Sequence, residues 1–364
     1  MSIAVLFGGA SWEHEISIVS AITLKKVLGK RISSFIFLDE KHNFYAIPSA
    51  SMHVQFFAEG GYLKCTKLTL GHGGFSHRSL FKTTTLQFDF ILNLVHGADG
   101  EDGSLACLLD FYGVSFIGPR SEACTLSFNK HYTKLFASAR GVKMLPFERL
   151  SCTEDREALK TKLSHAPFFK CLAKDNAEST LNFPLIVKPS RLGSSIGVNV
   201  ANDAKSLDYA LDSAFEYDNE VILEPFIKGV KEYNLAGFKA KDFVFSIIEE
   251  PQKQDLLDFE NKYLDFSRDG KSAKAELDPR LEKEMQEIFK KIYENCFEGA
   301  LIRCDFFVVD GKVYLNEINP IPGSMANYLF ENFGSAIDEL KDFLPHKKPI
   351  IIDYQYIKKI QKAK

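Results

Sequence analysis

Tryptophan occurs once in this chain of 364 residues, at Trp12, and cysteine only seven times. The cysteines (Cys65, Cys107, Cys124, Cys152, Cys171, Cys296 and Cys304) form no CxxC pair. An odd, unpatterned set argues against a disulfide framework or a zinc site and for reduced thiols. No stretch approaches the roughly 18 apolar residues of a membrane span. The opening run Ile3-Ala4-Val5-Leu6-Phe7 breaks at Gly8-Gly9 and lacks the basic lead-in of a signal peptide. Charge of one sign is also missing, since the net charge is −3, so nothing calls for a nucleic-acid partner. Lysines do gather in the tail (Lys358, Lys359, Lys362, Lys364), as at a solvated helix end. There is no internal repeat. The expectation is a soluble, cytoplasmic protein without membrane or nucleic-acid partners.

Two nucleotide-binding signatures are absent as well. Gly8-Gly9-Ala10-Ser11-Trp12-Glu13-His14-Glu15 follows a strand but is not GxGxxG, which disfavours a Rossmann dehydrogenase. Gly270-Lys271-Ser272 has Asp265 where the first glycine of a phosphate-binding P-loop should stand. The acidic loop His96 to Gly103 lacks the ligand order of an EF-hand. Its histidine reads equally as a hydrogen-bonded loop residue.

What remains is an ordinary globular composition, 45% hydrophobic and 26% charged, long enough for two or three domains. Strands are expected at 3–7, 34–38 and 90–95, with a helix running to about residue 28. Strands alternating with helices suggest an open, mostly parallel sheet in a first unit that ends near Gly118-Pro119. One helix is expected over 122–140, stopped by Gly141, followed by a polar insertion or long loop at 151–182. Further strands are expected at 184–188, 220–227, 232–239 and 243–249, with helices at 204–216 and 279–297. A polar segment fills 251–277, and a hairpin at 301–309 and 313–319 turns through Asp310-Gly311.

That hairpin is the strongest local signal. Arg303 and Asp305 share one strand face, and Glu317 and Asn319 share another. A two-residue turn would set Asp305 and Glu317 on opposite faces, so an odd-length loop is expected, bringing them together. Two carboxylates and an amide then form an all-oxygen site suited to magnesium, with Arg303 as a fixed cation for an oxyanion or phosphate. A solvated polar face would use the same letters, but Phe306, Phe307, Val308 and Ile318 look like core positions. Lys188-Pro189-Ser190 and Gly193-Ser194-Ser195-Ile196-Gly197 form a small-residue loop whose N–H groups could approach phosphates; a plain connector is the alternative. Glu224-Pro225-Phe226-Ile227 could border an adenine through backbone groups, or could simply be an edge strand containing proline.

Taken in order, these motifs resemble the D-alanine–D-alanine ligase family across nearly the whole chain. The match comprises Gly8-Gly9-x-Ser11-x-Glu13, His96-Gly97-x-x-Gly100-Glu101-Asp102-Gly103, Asn129-Lys130, Lys188-Pro189-Ser190 and Gly193-Ser194-Ser195. It continues with Lys262-Tyr263, Arg303-Cys304-Asp305 and Glu317-Ile318-Asn319-Pro320-x-Pro322-Gly323. The resemblance implies an α/β and α+β chain with an ATP-grasp fold. Residues 1–119 would form an N-terminal open parallel-sheet domain and 120–224 a central ATP-binding domain. Residues 225–364 would carry the metal site and a mobile loop at 251–277.

It also implies roles. Lys130 and Lys188 would meet the ATP phosphates beside Ser194 and Ser195, with Lys262 on the mobile loop. Glu224 and Ile227 would contact adenine through backbone groups and Glu232 the ribose. Asp305, Glu317 and Asn319 would hold two Mg2+ or Mn2+ ions, and Arg303 and Gly323 would receive the oxyanion. Glu13, with His96 nearby, would bind the first D-alanine, and Glu13, Ser194 and Tyr263 would form a hydrogen-bonded link. Tyr328 and Leu329 would bind the second substrate, although many members have serine where Tyr328 stands. The hinge Glu224-Pro225-Phe226-Ile227 also departs from the Lys-Trp-Leu continuation that many members have. A D-alanine–D-lactate ligase is the nearest rival, disfavoured by Tyr263; a catalytically silent nucleotide-binding module would have lost Arg303, Asp305 or Glu317. The family suggests a homodimer.

Overall fold

The computed structural model describes residues 2–80, 82–164, 183–251, 273–346, 348 and 350–362. Lys262, Tyr263 and the rest of residues 252–272, from the expected mobile loop at 251–277, lie outside the described residues.

The apolar run at the N-terminus forms β1 (Ile3–Gly8), buried along its whole length, as expected of a strand covered on both sheet faces. It pairs in parallel with β2 (Ile32–Leu38) on one side and β7 (Phe90–Asn93) on the other, and β7 pairs in parallel with β8 (Phe116–Ile117). The sheet is nevertheless mixed. Beyond β2 run β3 (Phe44–Ile47), β4 (Thr66–Gly71), β5 (Gly74–Arg78) and β6 (Thr83–Thr85), each antiparallel to its neighbour. This meander corrects the mostly parallel expectation; β3 is short, and the mixed or polar strands β4 to β6 carry no continuous apolar run to read. At the carboxyl ends of the parallel strands two loops face each other. Ala10 N–H donates to Asp99 Oδ2 at 2.7 Å, and Ser11 Oγ donates to the His96 carbonyl at 2.7 Å. That crevice is where open α/β sheets place ligands.

A second, antiparallel sheet has the order β11-β10-β12-β9, from β9 (Glu148–Ser151), β10 (Leu185–Pro189), β11 (Asn199–Ala201) and β12 (Glu220–Pro225). Helices Arg156–Ser164 and Ala204–Phe215 complete its core with Leu159, Leu207 and Leu211. Of the stretch 151–182, read as insertion or loop, the described part follows β9 and carries the helix Arg156–Ser164, and residues 165–182 lie outside the described residues. Nor is the Pro225 strand an edge: β12 lies between β10 and β9, with Pro225 at its end.

The third sheet, β14-β13-β15-β16, is built from β13 (Lys231–Lys239), β14 (Phe243–Glu249), β15 (Ile302–Val309) and β16 (Lys312–Asn319). Helix Pro279–Tyr293 buries Met285, Ile288, Phe289 and Ile292; Asp278 caps it and Pro279 starts it, where no N–H is needed. Its core is continuous with that of the first sheet: Ile3, Phe7, Phe238 and Phe306 belong to one apolar cluster.

The β15–β16 turn corrects the expected odd loop. Asp310 and Gly311 both have positive φ, 49° and 70°, and Val309 faces Lys312, so the turn has two residues. Parity changes further along instead. Phe306 faces Leu315, but Asp305 faces Glu317, so Asn316 is the extra residue of a bulge. The bulge keeps Phe306 and Leu315 fully buried while Asp305 and Glu317 share the other face. Without it, Glu317 would fall on the side of Leu315, where a desolvated carboxylate is far costlier than a bulge. Phe306 and Ile318 are core as expected, whereas Phe307 and Val308 are only half-buried.

The expected single helix over 122–140 is two, Ser121–Phe128 and Lys130–Ala139. Asn129 is extended between them and its side chain accepts from the N–H groups of His131 and Tyr132. An asparagine that caps a new helix ends the old one.

Candidate active site

Glu13 stands at the N-terminus of helix His14–Leu28, only 6% exposed. Ser194 Oγ donates to its Oε1 at 2.6 Å, and Oε2 is buried without a hydrogen-bond partner among the described residues. Two glycines make room for it: a Cβ on Gly193 would lie 2.9 Å from Oε1, and one on Gly97 3.1 Å from Oε2. Burial, reinforced by the Glu101 charge, raises the Glu13 carboxyl above its usual range. A desolvated carboxylate with an unmet oxygen is suited to a cationic ligand. His96 is buried beside it, with Nε2 3.0 Å from Ser20 Oγ and Nδ1 3.5 Å from Glu101. Burial lowers His96 to about 4, so the ring is neutral at pH 7. Burial and the Glu317 charge lift Glu101 to about 8.

The Gly/Ser loop is clamped from several sides. Lys130 N–H donates to the Ser190 carbonyl at 2.9 Å and Lys130 Nζ to the Leu192 carbonyl at 2.6 Å. Ser194 and Ser195 both take positive φ, 58° and 60°, a conformation that exposes consecutive backbone N–H groups but costs a non-glycine residue on the order of 1 kcal/mol. Lys188 Nζ lies 2.7 Å from Glu224 Oε2, and Lys134 pairs with the other oxygen of the same carboxylate. Burial pushes Glu224 up, but the two ammonium groups outweigh it and bring it down to about 2. Lys188 is raised, its burial outweighed by Glu224, with Glu317 and Glu232 adding to the effect. Glu232 lies half-buried on β13 opposite Phe307. Ile227, also half-buried, follows β12, and its carbonyl accepts from Val230 N–H at 3.2 Å.

On the β15–β16 face, Arg303 lies opposite Asn319 and Asp305 opposite Glu317. Arg303 grips Asp305 with two hydrogen bonds, 2.7 and 2.8 Å, and Asn319 Nδ2 donates to Asp305 Oδ2 at 3.0 Å. Tyr328 Oη accepts from Arg303 Nη1 at 3.4 Å, and burial raises that phenol. The three groups of residues are neighbours: Lys188 feels Glu317, Glu13 feels Lys130, and His96 feels Arg303.

Gly323 opens the helical segment Gly323–Leu329, which ties back to the first domain through Ser324 N–H and Ser20 Oγ at 2.9 Å. Leu329 is 1% exposed, and its side chain packs in the core. Within the segment Ser324, Met325 and Ala326 all have positive φ near 50°, a strained run that no sequence signal announces. Nor does the sequence announce Ser20 or Lys134. Each depends on partners distant in the chain. The cysteines of the described residues are all free thiols, as expected. No helix among the described residues is long and apolar enough to cross a membrane.

Comparison with known proteins gives the family. Residues 2–119 match the family model described as D-ala D-ala ligase N-terminus, and residues 141–340 that described as D-ala D-ala ligase C-terminus. The D-alanine--D-alanine ligase of Sulfurimonas denitrificans is 53% identical over 365 residues, covering 100% of this chain and 99% of the relative. The crystal structure of D-Alanine-D-Alanine Ligase from Helicobacter pylori superposes with a TM-score of 0.81 at 50% identity, covering 96% of this chain and 100% of that one. The VanG D-Ala:D-Ser ligase from Enterococcus faecalis, at 22% identity and a TM-score of 0.70 over 94% of this chain and 97% of its own, shares the fold alone. On full-length identity and both family models, the chain belongs to the D-alanine–D-alanine ligase family.

Proposed function

We propose that the chain joins two D-alanine molecules to D-alanyl-D-alanine with ATP as the energy source, supplying a peptidoglycan precursor in the cytoplasm, and that it works as a homodimer. The observation that carries this reading is the shared face of Arg303, Asp305, Glu317 and Asn319, next to the Lys188 cation and the Glu13–Ser194 pair.

A carboxylate is a poor electrophile, and ATP overcomes this in two steps. A carboxylate oxygen of the first D-alanine attacks the γ-phosphorus of ATP, ADP leaves, and an acyl phosphate forms. The amine of the second D-alanine then attacks the acyl carbon, loses a proton, and expels phosphate. Such transfers need positioning and charge neutralisation more than covalent help from the protein. Lys130 and Lys188 supply phosphate cations, with the Ser194-Ser195 backbone beside them, and Glu224, Ile227 and Glu232 border the nucleoside. Glu13, with its unmet oxygen, holds the first ammonium group, and neutral His96 braces that pocket. Arg303 and the Gly323 backbone receive the oxyanion, and Tyr328 sits where it can meet the second substrate through its bond to Arg303.

The oxygens of Asp305, Glu317 and Asn319 fit magnesium or manganese. The set is hard and all-oxygen, and among the described residues no cluster of three His, Cys, Asp or Glu side chains offers a complete protein cage. That suits an ion which completes its shell with water and phosphate oxygens. When bound, it would neutralise phosphate charge. Asp305 meanwhile fixes Arg303, and Asn319 orients Asp305.

Phosphate release with ATP and magnesium tests the reading. D-alanine alone should drive release and L-alanine should not. Faster release with D-lactate plus D-alanine than with D-alanine alone would favour depsipeptide formation, and no release dependent on D-alanine would overturn the proposal.

A further inference from the structure

Glu224 is contacted by two lysines, although it can fully compensate only one. Its side chain is 5% exposed, that of Lys134 3% and that of Lys188 12%. Lys188 reaches it from β10, the strand paired with β12, and Lys134 from helix Lys130–Ala139, one turn beyond Lys130. Lys134 also lies 5.1 Å from the Phe147 ring, which holds its ammonium group over an apolar surface.

We propose that Lys134 is a positioning residue of the nucleotide site, which holds the Glu224 carboxylate so that Lys188 remains available to phosphate. The inference rests on the reading that Lys188 is a phosphate cation. With Lys134 present, the trio carries one net positive charge, and Glu224 keeps a partner when Lys188 engages an anion. Without Lys134, Lys188 and Glu224 become a neutral buried pair. Drawing Lys188 toward phosphate would then strand a desolvated carboxylate, which is strongly unfavourable. Lys134 thus acts on the nucleotide through Glu224 and need not touch it.

The test is calorimetric binding of ADP and of adenosine, with kcat and the KM for ATP measured in parallel on the full chain. Lys134→Met should weaken ADP about tenfold or more, leave adenosine within about twofold, and raise the KM for ATP far more than it lowers kcat. Lys134→Arg, which keeps the charge, should bind ADP nearly as the native chain does. Lys134→Met combined with Glu224→Gln restores the net charge and should recover most of the lost ADP affinity. If Lys134→Met does not fold, as judged by its far-ultraviolet spectrum and melting curve, the arginine variant and the double variant still decide. Equal losses of ADP and adenosine would point to a deformed adenine pocket and overturn the inference. A double variant that binds ADP tenfold more weakly than the native chain would overturn it too. Lys188→Met separates the two claims. Unchanged ADP affinity in that variant removes the phosphate reading itself, whereas weakened affinity there with none in Lys134→Met removes only the role of Lys134.

Discussion

Among the described residues only one oxygen of Glu13 is hydrogen-bonded, and burial raises the group, so the folded chain holds a carboxylate whose charge is under-compensated. A bound ammonium group would relieve both conditions. Glu13→Gln keeps the acceptor for Ser194 but removes the charge. Saturation by D-alanine at the first site should then need at least about tenfold more substrate, while the melting temperature stays as high as in the native chain. An unchanged D-alanine saturation curve would assign the ammonium to another group. Glu13, Arg303 and Asp305 are all legible in the sequence because each sits in a compact motif. Lys134 is not, because its meaning comes from Glu224, a residue on another element with which it shares no motif.

Between elements, the decisive features are interruptions. The parity of the β15–β16 hairpin is corrected by the Asn316 bulge, and the long helix expected over 122–140 is broken by Asn129. Alternation and helical periodicity identify regular stretches, but one inserted residue leaves almost no mark on either pattern. The carboxylates are on one face, as expected, though for a different reason. Asn129 is more than a breaker. It caps the second helix, and its Nδ2 donates to the buried Glu220 at 3.0 Å, while the next residue, Lys130, braces the Gly/Ser loop. Asn129→Ala should destabilise the chain by about 2 kcal/mol from the lost cap and the unsatisfied Glu220, and should raise the KM for ATP by shifting Lys130. Chemical denaturation together with steady-state kinetics checks both, and a stability loss with an unmoved KM would confine Asn129 to the fold.

Across the whole molecule, the candidate site gathers residues from all three sheets, and burying so many ionisable groups couples folding to pH. His96 is the clearest case. Its value falls from about 6.5 unfolded to about 4 folded, because burial disfavours the charged ring. Between those values the unfolded chain binds a proton that the folded chain does not, so stability drops as pH falls through that window. At pH 5 the contribution lost is about 2 kcal/mol. His96→Gln should therefore show a smaller fall in melting temperature from pH 7 to pH 5 than the native chain, and equal falls would contradict the neutral, buried ring. The division into an N-terminal sheet around parallel strands, followed by two further sheets, follows motif order and to that extent is legible in the sequence. The β3–β6 meander and the helix at Arg156–Ser164 are not, since their polar faces look like loops when neighbours are unknown.

The most direct measurement is ATP turnover, followed as ADP formation with D-alanine and magnesium, in Asp305→Asn and Glu317→Gln. Both substitutions keep side-chain size and remove one anionic charge from the shared face of β15 and β16. Turnover should fall by about a hundredfold or more in each, with melting curves still cooperative. Near-native turnover in either variant would contradict the assignment of that face to the reaction.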